Sequence, residues 1–318
     1  MNPENGLLEL LLLLTGSTLP MIILISLGYL SRKTAVLREG DERVFSSYVY
    51  YFALPGLFIT NLSRIPINAD TLLFILWAIV PILLAIVILL LLSVIFKIDR
   101  GVLSLIIVCT VFGSLVFFGI PYITFTFPSE EAERLASFIA VPITVLGVFT
   151  AITTLELYSL EEQSFLSGAA TVAKRFTRNP LIISMAAGIL LSLFDISLPG
   201  PLERTLQMLG RTTSTVAMFL VGLFFYGRSY SGFFKAFKLS FLRLVLLPAF
   251  AFLLYLGSNL PDLEVSIIVL LHGMPGAVNL IVLSERYNFY KDLIPTYLLV
   301  STLASFITLG AWFVLTNY

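Results

Sequence analysis

Two short stretches hold the residues of this chain best suited to chemistry. The first runs from Ser114 through Gly119-Ile-Pro121-Tyr122-Ile-Thr124, the second through His272-Gly273-Met-Pro275-Gly-Ala-Val-Asn279. Each sets Gly-x-Pro inside an apolar run. Proline removes a backbone donor and crowds the carbonyl four residues earlier, while glycine lets the chain leave helical geometry. In hydrocarbon the freed carbonyls need protein, ion or water as partners. Two interrupted helices are expected, with half-helices starting at Pro121 and Pro275 and their positive ends aimed at one small region. A negatively charged group would be stabilised there. One Gly-x-Pro is commonly only a kink; two at matching places make a constellation.

The neighbouring side chains refine that chemistry. His272 is the single histidine, and an ionisable group within a membrane span is a candidate for proton coupling. On that reading His272→Gln abolishes any pH dependence; the alternative is a neutral imidazole bonded to a freed carbonyl. Asn279, one turn beyond Pro275, has donors and an acceptor for a bound molecule, or for tying two helices together. Tyr122 and Thr124 stand just beyond Pro121 and are candidates to line the same cavity, with Thr60 and Asn61 as weaker ones. Arg211 either meets an organic anion in an outward cavity or reaches for the interface. Glu130, Glu131 and Glu133 suit the first turn of a helix. A single Cys109 and a single His272 leave no metal cluster, and no nucleophile–base constellation lies in any span. No enzyme, cofactor or metal is expected. Residues 101–127 and 265–284 contain no Asp or Glu, which weighs against cation/proton antiport. Sodium coupling fares no better, since hard cations need several oxygen ligands.

The elements that must position these residues follow from composition. Of 318 residues, 58% are hydrophobic and only 12% charged, with a mean hydropathy of +1.00. Zero formal net charge offers no field for nucleic acid. Leu10–Leu30, Ile82–Ile95 and Val245–Leu256 contain no charged residue, and a bilayer span needs roughly 20 mostly apolar ones. Cutting at charged or Pro/Gly-rich breaks gives ten spans: 7–31, 44–62, 70–96, 101–127, 135–158, 180–198, 205–227, 239–259, 264–284 and 293–315. The start lacks the positive segment of a signal peptide, so the first span is read as retained. Alternating the loops puts fifteen of the 19 basic residues on one side, Arg32, Lys97, Arg175, Lys238 and Arg243 among them. Arg64, Arg134 and Arg204 fall on the other, and Arg211 lies near a helix end. The bias predicts both termini outside. A linker at 159–179 separates a five-span repeat at 1–158 from another at 180–318, and an odd number per half inserts the second upside down.

The sequence resembles the auxin efflux carrier family, which includes plant PIN proteins and prokaryotic malonate or malate permease-like members. The resemblance is carried by Ala53-Leu-Pro55-Gly-Leu-Phe58, Gly119-Ile-Pro121, and His272-Gly-Met-Pro275-Gly-Ala-Val-Asn279 through Glu285-Arg286-Tyr287. It implies an all-α membrane fold of two inverted five-helix repeats, like that of bile-acid symporters and sodium–proton antiporters, with a scaffold and a transport domain. It further implies elevator-like movement, a small organic carboxylate as substrate, substrate contacts around both crossover motifs, a plasma-membrane location and homodimers. Where members often place asparagine before the first motif, this chain has Ser114. The expected function is export or exchange of an organic anion. The alternatives are cation/proton antiport and a membrane sensor that kept the fold without flux.

Overall fold

A computed structural model of the chain describes residues 19–64, 69–127, 129–159, 180–256 and 258–317. The expectations for residues 1–18 and for the linker beyond Ser159 lie outside them, as do those for the side chains of Glu285 and Arg286. Regular structure among the described residues is helical, apart from one isolated bridge. The first helix, α1, covers 19–33. α2 comprises Glu42–Tyr48, Val49–Ala53 and Leu54–Leu62; α3 is Ala69–Ile95. α4 is broken into α4a, Arg100–Val111, and α4b, made of Leu115–Gly119 and Ile120–Thr126. α5 is Glu130–Ser159, α6 Pro180–Leu193 and α7 Gly200–Phe225. α8 comprises Phe233–Phe241, Leu242–Leu246 and Leu247–Tyr255. α9 is broken into α9a, Asp262–His272, and α9b, Leu280–Arg286; α10 is Leu293–Asn317.

Local chemistry sets several of these limits. The Asp99 carboxylate accepts from the N–H groups of Gly101 and Val102 and so caps α4a. Glu130, Glu131 and Glu133 fill the first turn of α5 as the sequence predicts, which starts that helix earlier than the apolar run alone. Among the described residues five helices are long and apolar enough to cross a membrane: Leu72–Ile95, Glu130–Tyr158, Gly200–Phe225, Phe233–Tyr255 and Leu293–Thr316. On α3, Leu76 is 60% and Val94 77% exposed. Such a face belongs against lipid. The chain is a multi-pass membrane protein.

The prolines are accommodated in a regular way. π-helical turns at Val49–Ala53, Leu115–Gly119 and Leu242–Leu246 precede Pro55, Pro121 and Pro248. Adding a residue to the turn moves the carbonyl that the proline ring would strike. Carbonyls deprived of their helical donor find others. Leu244 O, four residues before Pro248, accepts from Trp312 Nε1 at 2.9 Å. Trp77 O, four before Pro81 in α3, accepts from the Tyr255 hydroxyl.

The helices pack as two groups. α2 lies along α7 and α6, with α1 also against α7: a Cβ on Gly28 would overlap the Phe219 carbonyl, and one on Gly222 the Ile25 carbonyl. α3, α4, α5, α8, α9 and α10 form the other group. The two meet where α2 and α6 face α5 and where α7 faces α4b.

Candidate functional site at the crossing of the broken helices

α4 and α9 cross at their breaks, and their unwound backbones pair there. Gly113 and Gly276 form an antiparallel bridge; Ser114 N donates to Pro275 O at 2.8 Å, and Ala277 N to Phe112 O at 3.0 Å. The sequence reading located the first interruption at Gly119–Pro121. The structure moves it to Phe112–Ser114, because the π turn at Leu115–Gly119 absorbs Pro121 without a break. The second interruption spans Gly273–Asn279, so α9b begins at Leu280 rather than at Pro275. Asn279 consequently sits just before α9b rather than one turn into it.

Both glycines at the bridge are there because nothing larger fits. A Cβ on Gly276 would overlap the Tyr297 ring, and one on Gly113 the Arg243 guanidinium. Arg243 belongs to the π turn of α8 and is 0% exposed. Its Nε donates to Met274 O at 2.8 Å and its Nη1 to Thr110 O at 2.8 Å and Val111 O at 3.4 Å. One side chain thus ties the carbonyl end of α4a to the break in α9. Nη2 has no partner, and no carboxylate pairs with Arg243 among the described residues. Cys109 O, one residue before Thr110, accepts from the Tyr297 hydroxyl at 2.5 Å.

A cavity of about 260 Å³ adjoins the crossing between the two helix groups. Gly113, Ser114 and Asn279 line it from the crossing and Tyr50 and Phe58 from α2, and it reaches Ile152 near the end of α5. Its walls are otherwise mainly apolar, and Ser114 Oγ, 5% exposed as a residue, has no hydrogen-bond partner among the described residues. A second cavity, about 330 Å³, lies at the opposite end of the same interface, with Arg64, Glu130, Arg134, Gln207 and Arg211 around it. Arg64 there pairs with Glu203 at 2.5 Å, and Asn61 Nδ2 donates to Ser137 Oγ at 3.0 Å across the groups.

Of the residues singled out from sequence, Ser114 and Asn279 share the first cavity, and Thr60, Asn61 and Arg211 line the second. Gly119 packs against Leu271 and Met274, and Gly273 against Leu309. Pro275 contributes its carbonyl to the bridge; Pro121 and Tyr122 are buried in α4b. Thr124 Oγ1 is bonded to Ile120 O within its own helix. His272 is buried, with Nδ1 2.8 Å from Ile268 O and Nε2 unpartnered, and lines neither cavity. Arg243 and Gly113 were missed. Arg243 counted among the fifteen basic residues of one loop side, yet it is buried in the middle of α8, which leaves fourteen against three. The signal was available: Arg243 falls inside the predicted span 239–259, where an ionisable residue is a candidate site by default.

Known proteins resemble this chain over nearly its whole length. An "Uncharacterized transporter" of Methanocaldococcus jannaschii is 26% identical over 301 residues, 92% of this chain and 95% of that protein. An "Uncharacterized transporter" of Escherichia coli K12 is 24% identical over 329 residues, covering 93% and 96%. A protein of Rhizobium meliloti named "Putative malonate transporter" is 26% identical over 311 residues, covering 93% of each. With the family model described as "Membrane transport protein" matching residues 13–313, the chain belongs to that family of membrane transporters, the auxin efflux carriers.

Proposed function

We infer that the chain carries a small organic carboxylate across the membrane, binding it in the cavity beside the crossing. The observation that carries this reading is Arg243: a buried guanidinium without a carboxylate partner lies directly behind Gly113, which lines that cavity. An arginine stays protonated, and in a low-dielectric interior its field is screened far less than in water. The cavity wall in front of it offers the Ser114 hydroxyl and the Asn279 amide, donors suited to carboxylate oxygens. The lack of acids in residues 101–127 and 265–284 favours an anion over a cation in the same place. The relative named "Putative malonate transporter" agrees with this class.

The proposed movement follows from the two cavities. They occupy opposite ends of one interface between the helix groups, so sliding of the six-helix group past the other would open each in turn. The proposed topology is ten spans in two inverted repeats, both termini outside. The broken fourth segment in each half and the fourteen-to-three basic asymmetry support it. The first cavity then opens to the cytoplasm and the one with Arg211 to the outside.

The test is thermal unfolding of the purified protein with malonate, malate, succinate and lipophilic acids at two pH values. Saturable stabilisation by a carboxylate is expected, weakened in Ser114→Ala. Stabilisation by none of them, together with a clear response to lithium or sodium, would overturn the reading.

A further inference from the structure

We propose that Arg243 is a resident cation: its guanidinium fills the place at the crossing where a coupling sodium ion would otherwise be held, so substrate binds without sodium. Interrupted helices bind cations through unwound carbonyls and the carbonyl ends of their half-helices. A hard cation there needs several such oxygens together. Here seven of them already accept a hydrogen bond. At the end of α4a, Val108 O takes Phe112 N and Cys109 O takes the Tyr297 hydroxyl. Thr110 O and Val111 O take Arg243 Nη1, and Phe112 O takes Ala277 N. Across the crossing, Met274 O takes Arg243 Nε and Pro275 O takes Ser114 N.

Charge points the same way. Residues 101–127 and 265–284, which carry the crossing, include no Asp or Glu, so a sodium ion arriving there would meet a fixed positive charge with no anion between them. The guanidinium supplies what such an ion would: it neutralises the negative ends of two half-helices and locks them together. Being covalent, it is never released. No sodium gradient can act through it, and any energy coupling must come from another ion or from the substrate's own gradient. Gly113 is a condition of this arrangement, since a side chain there would evict the guanidinium.

The inference rests on the transporter reading, but its first test needs no substrate. Unfolding of the purified full-length protein, followed by dye labelling of the single, buried Cys109, is compared in sodium, lithium, potassium and choline chloride at equal ionic strength. The same midpoint in all four is expected; stabilisation specific to sodium overturns the proposal, whatever the carboxylates do. The second test compares Arg243→Lys with Arg243→Gln, both long and flexible and differing in charge. The lysine variant is expected to keep most of the wild-type midpoint and its indifference to sodium. The glutamine variant is expected to lose stability and regain part of it with millimolar guanidinium ion, to which the wild type does not respond. Equal behaviour of the two variants, or no rescue by any cation, refutes a resident-cation role and leaves Arg243 as packing.

Discussion

Replacing Gly113 by alanine adds one methyl group at the point where the structure tolerates none. The new Cβ would overlap Arg243 Nη2 and Cζ, and these atoms are not the far end of a free side chain, because Nε and Nη1 are held by Met274 O and Thr110 O, each at 2.8 Å. Either the guanidinium withdraws or the crossing opens. The two charge-assisted hydrogen bonds at 2.8 Å are lost in the first case, each worth about 1.5–3 kcal/mol, so the cost is about 3–6 kcal/mol before any penalty for leaving the buried charge unpaired. Cys109 reports on the event directly, since it is the single cysteine, is fully buried, and lies one turn before Gly113. Labelling by a thiol-reactive dye during heating should therefore begin well below the wild-type temperature. Gly200→Ala is the control, having nothing within 4 Å of its added Cβ, and is expected to leave the midpoint unmoved. In an Arg243→Ala background the clash is gone, and Gly113→Ala should cost under about 1 kcal/mol. If Gly113→Ala unfolds with the wild type, or costs as much without Arg243 as with it, the account of the crossing is wrong.

Further outcomes follow from the same geometry. Ser114→Ala and Asn279→Ala should each weaken carboxylate binding by roughly tenfold or more, the loss of one hydrogen bond to a charged ligand, as read from ligand-dependent thermal shifts; unchanged affinity in both would move the site elsewhere. Ser137→Ala removes the bond from Asn61 that joins the helix groups at the Arg211 end. About 1 kcal/mol, or fivefold in the equilibrium, should then favour opening there, seen as faster maleimide labelling of a cysteine placed at Thr60 in a Cys109→Ser background; an unchanged rate argues that the bond does not hold the interface. His272→Gln should leave the pH profile of transport as it is, because Nδ1 is taken by Ile268 O and the ring lines neither of the two cavities. Loss of pH dependence in that variant would return His272 to a coupling role.

Much of the helix plan is legible in the sequence because apolar length and charged breaks set it locally. The run 70–96 becomes Ala69–Ile95, and 293–315 becomes Leu293–Asn317. The interruption of α9 is legible from Gly273–Pro275, whereas that of α4 lies several residues before Gly119–Pro121, which widens a turn without breaking the helix. Whether a proline breaks a helix or merely widens a turn depends on what satisfies the freed carbonyl, and those partners come from distant helices, as Trp312 does for Leu244 and Tyr255 for Trp77. Arg243 was hidden for a related reason. Next to Lys235 and Lys238 it reads as one more interfacial charge, and only the approach of Thr110 and Met274 makes its burial tolerable. Ser114 and Asn279 border the two interruptions and line the first cavity, whereas Tyr122 and Thr124, which follow a proline absorbed without a break, do not. Proximity in sequence to a proline does not fix the facing of a side chain.

The glycine contacts between α1 and α7 have a mechanical consequence. Side chains in contact can relax by changing rotamer, but main chain against main chain cannot. Where Gly28 meets Phe219 and Gly222 meets Ile25, the joint between these helices is correspondingly inelastic. The cavity-lined boundary on the far side of α2 and α7 is cushioned by side chains and empty volume instead. Compliance is thus unevenly distributed, with a stiff frame beside a soft seam, and thermal agitation will be spent along the seam. A bulky residue at Gly222 would blur that contrast by making the frame yield as well, and would impair turnover without touching a single ligand contact.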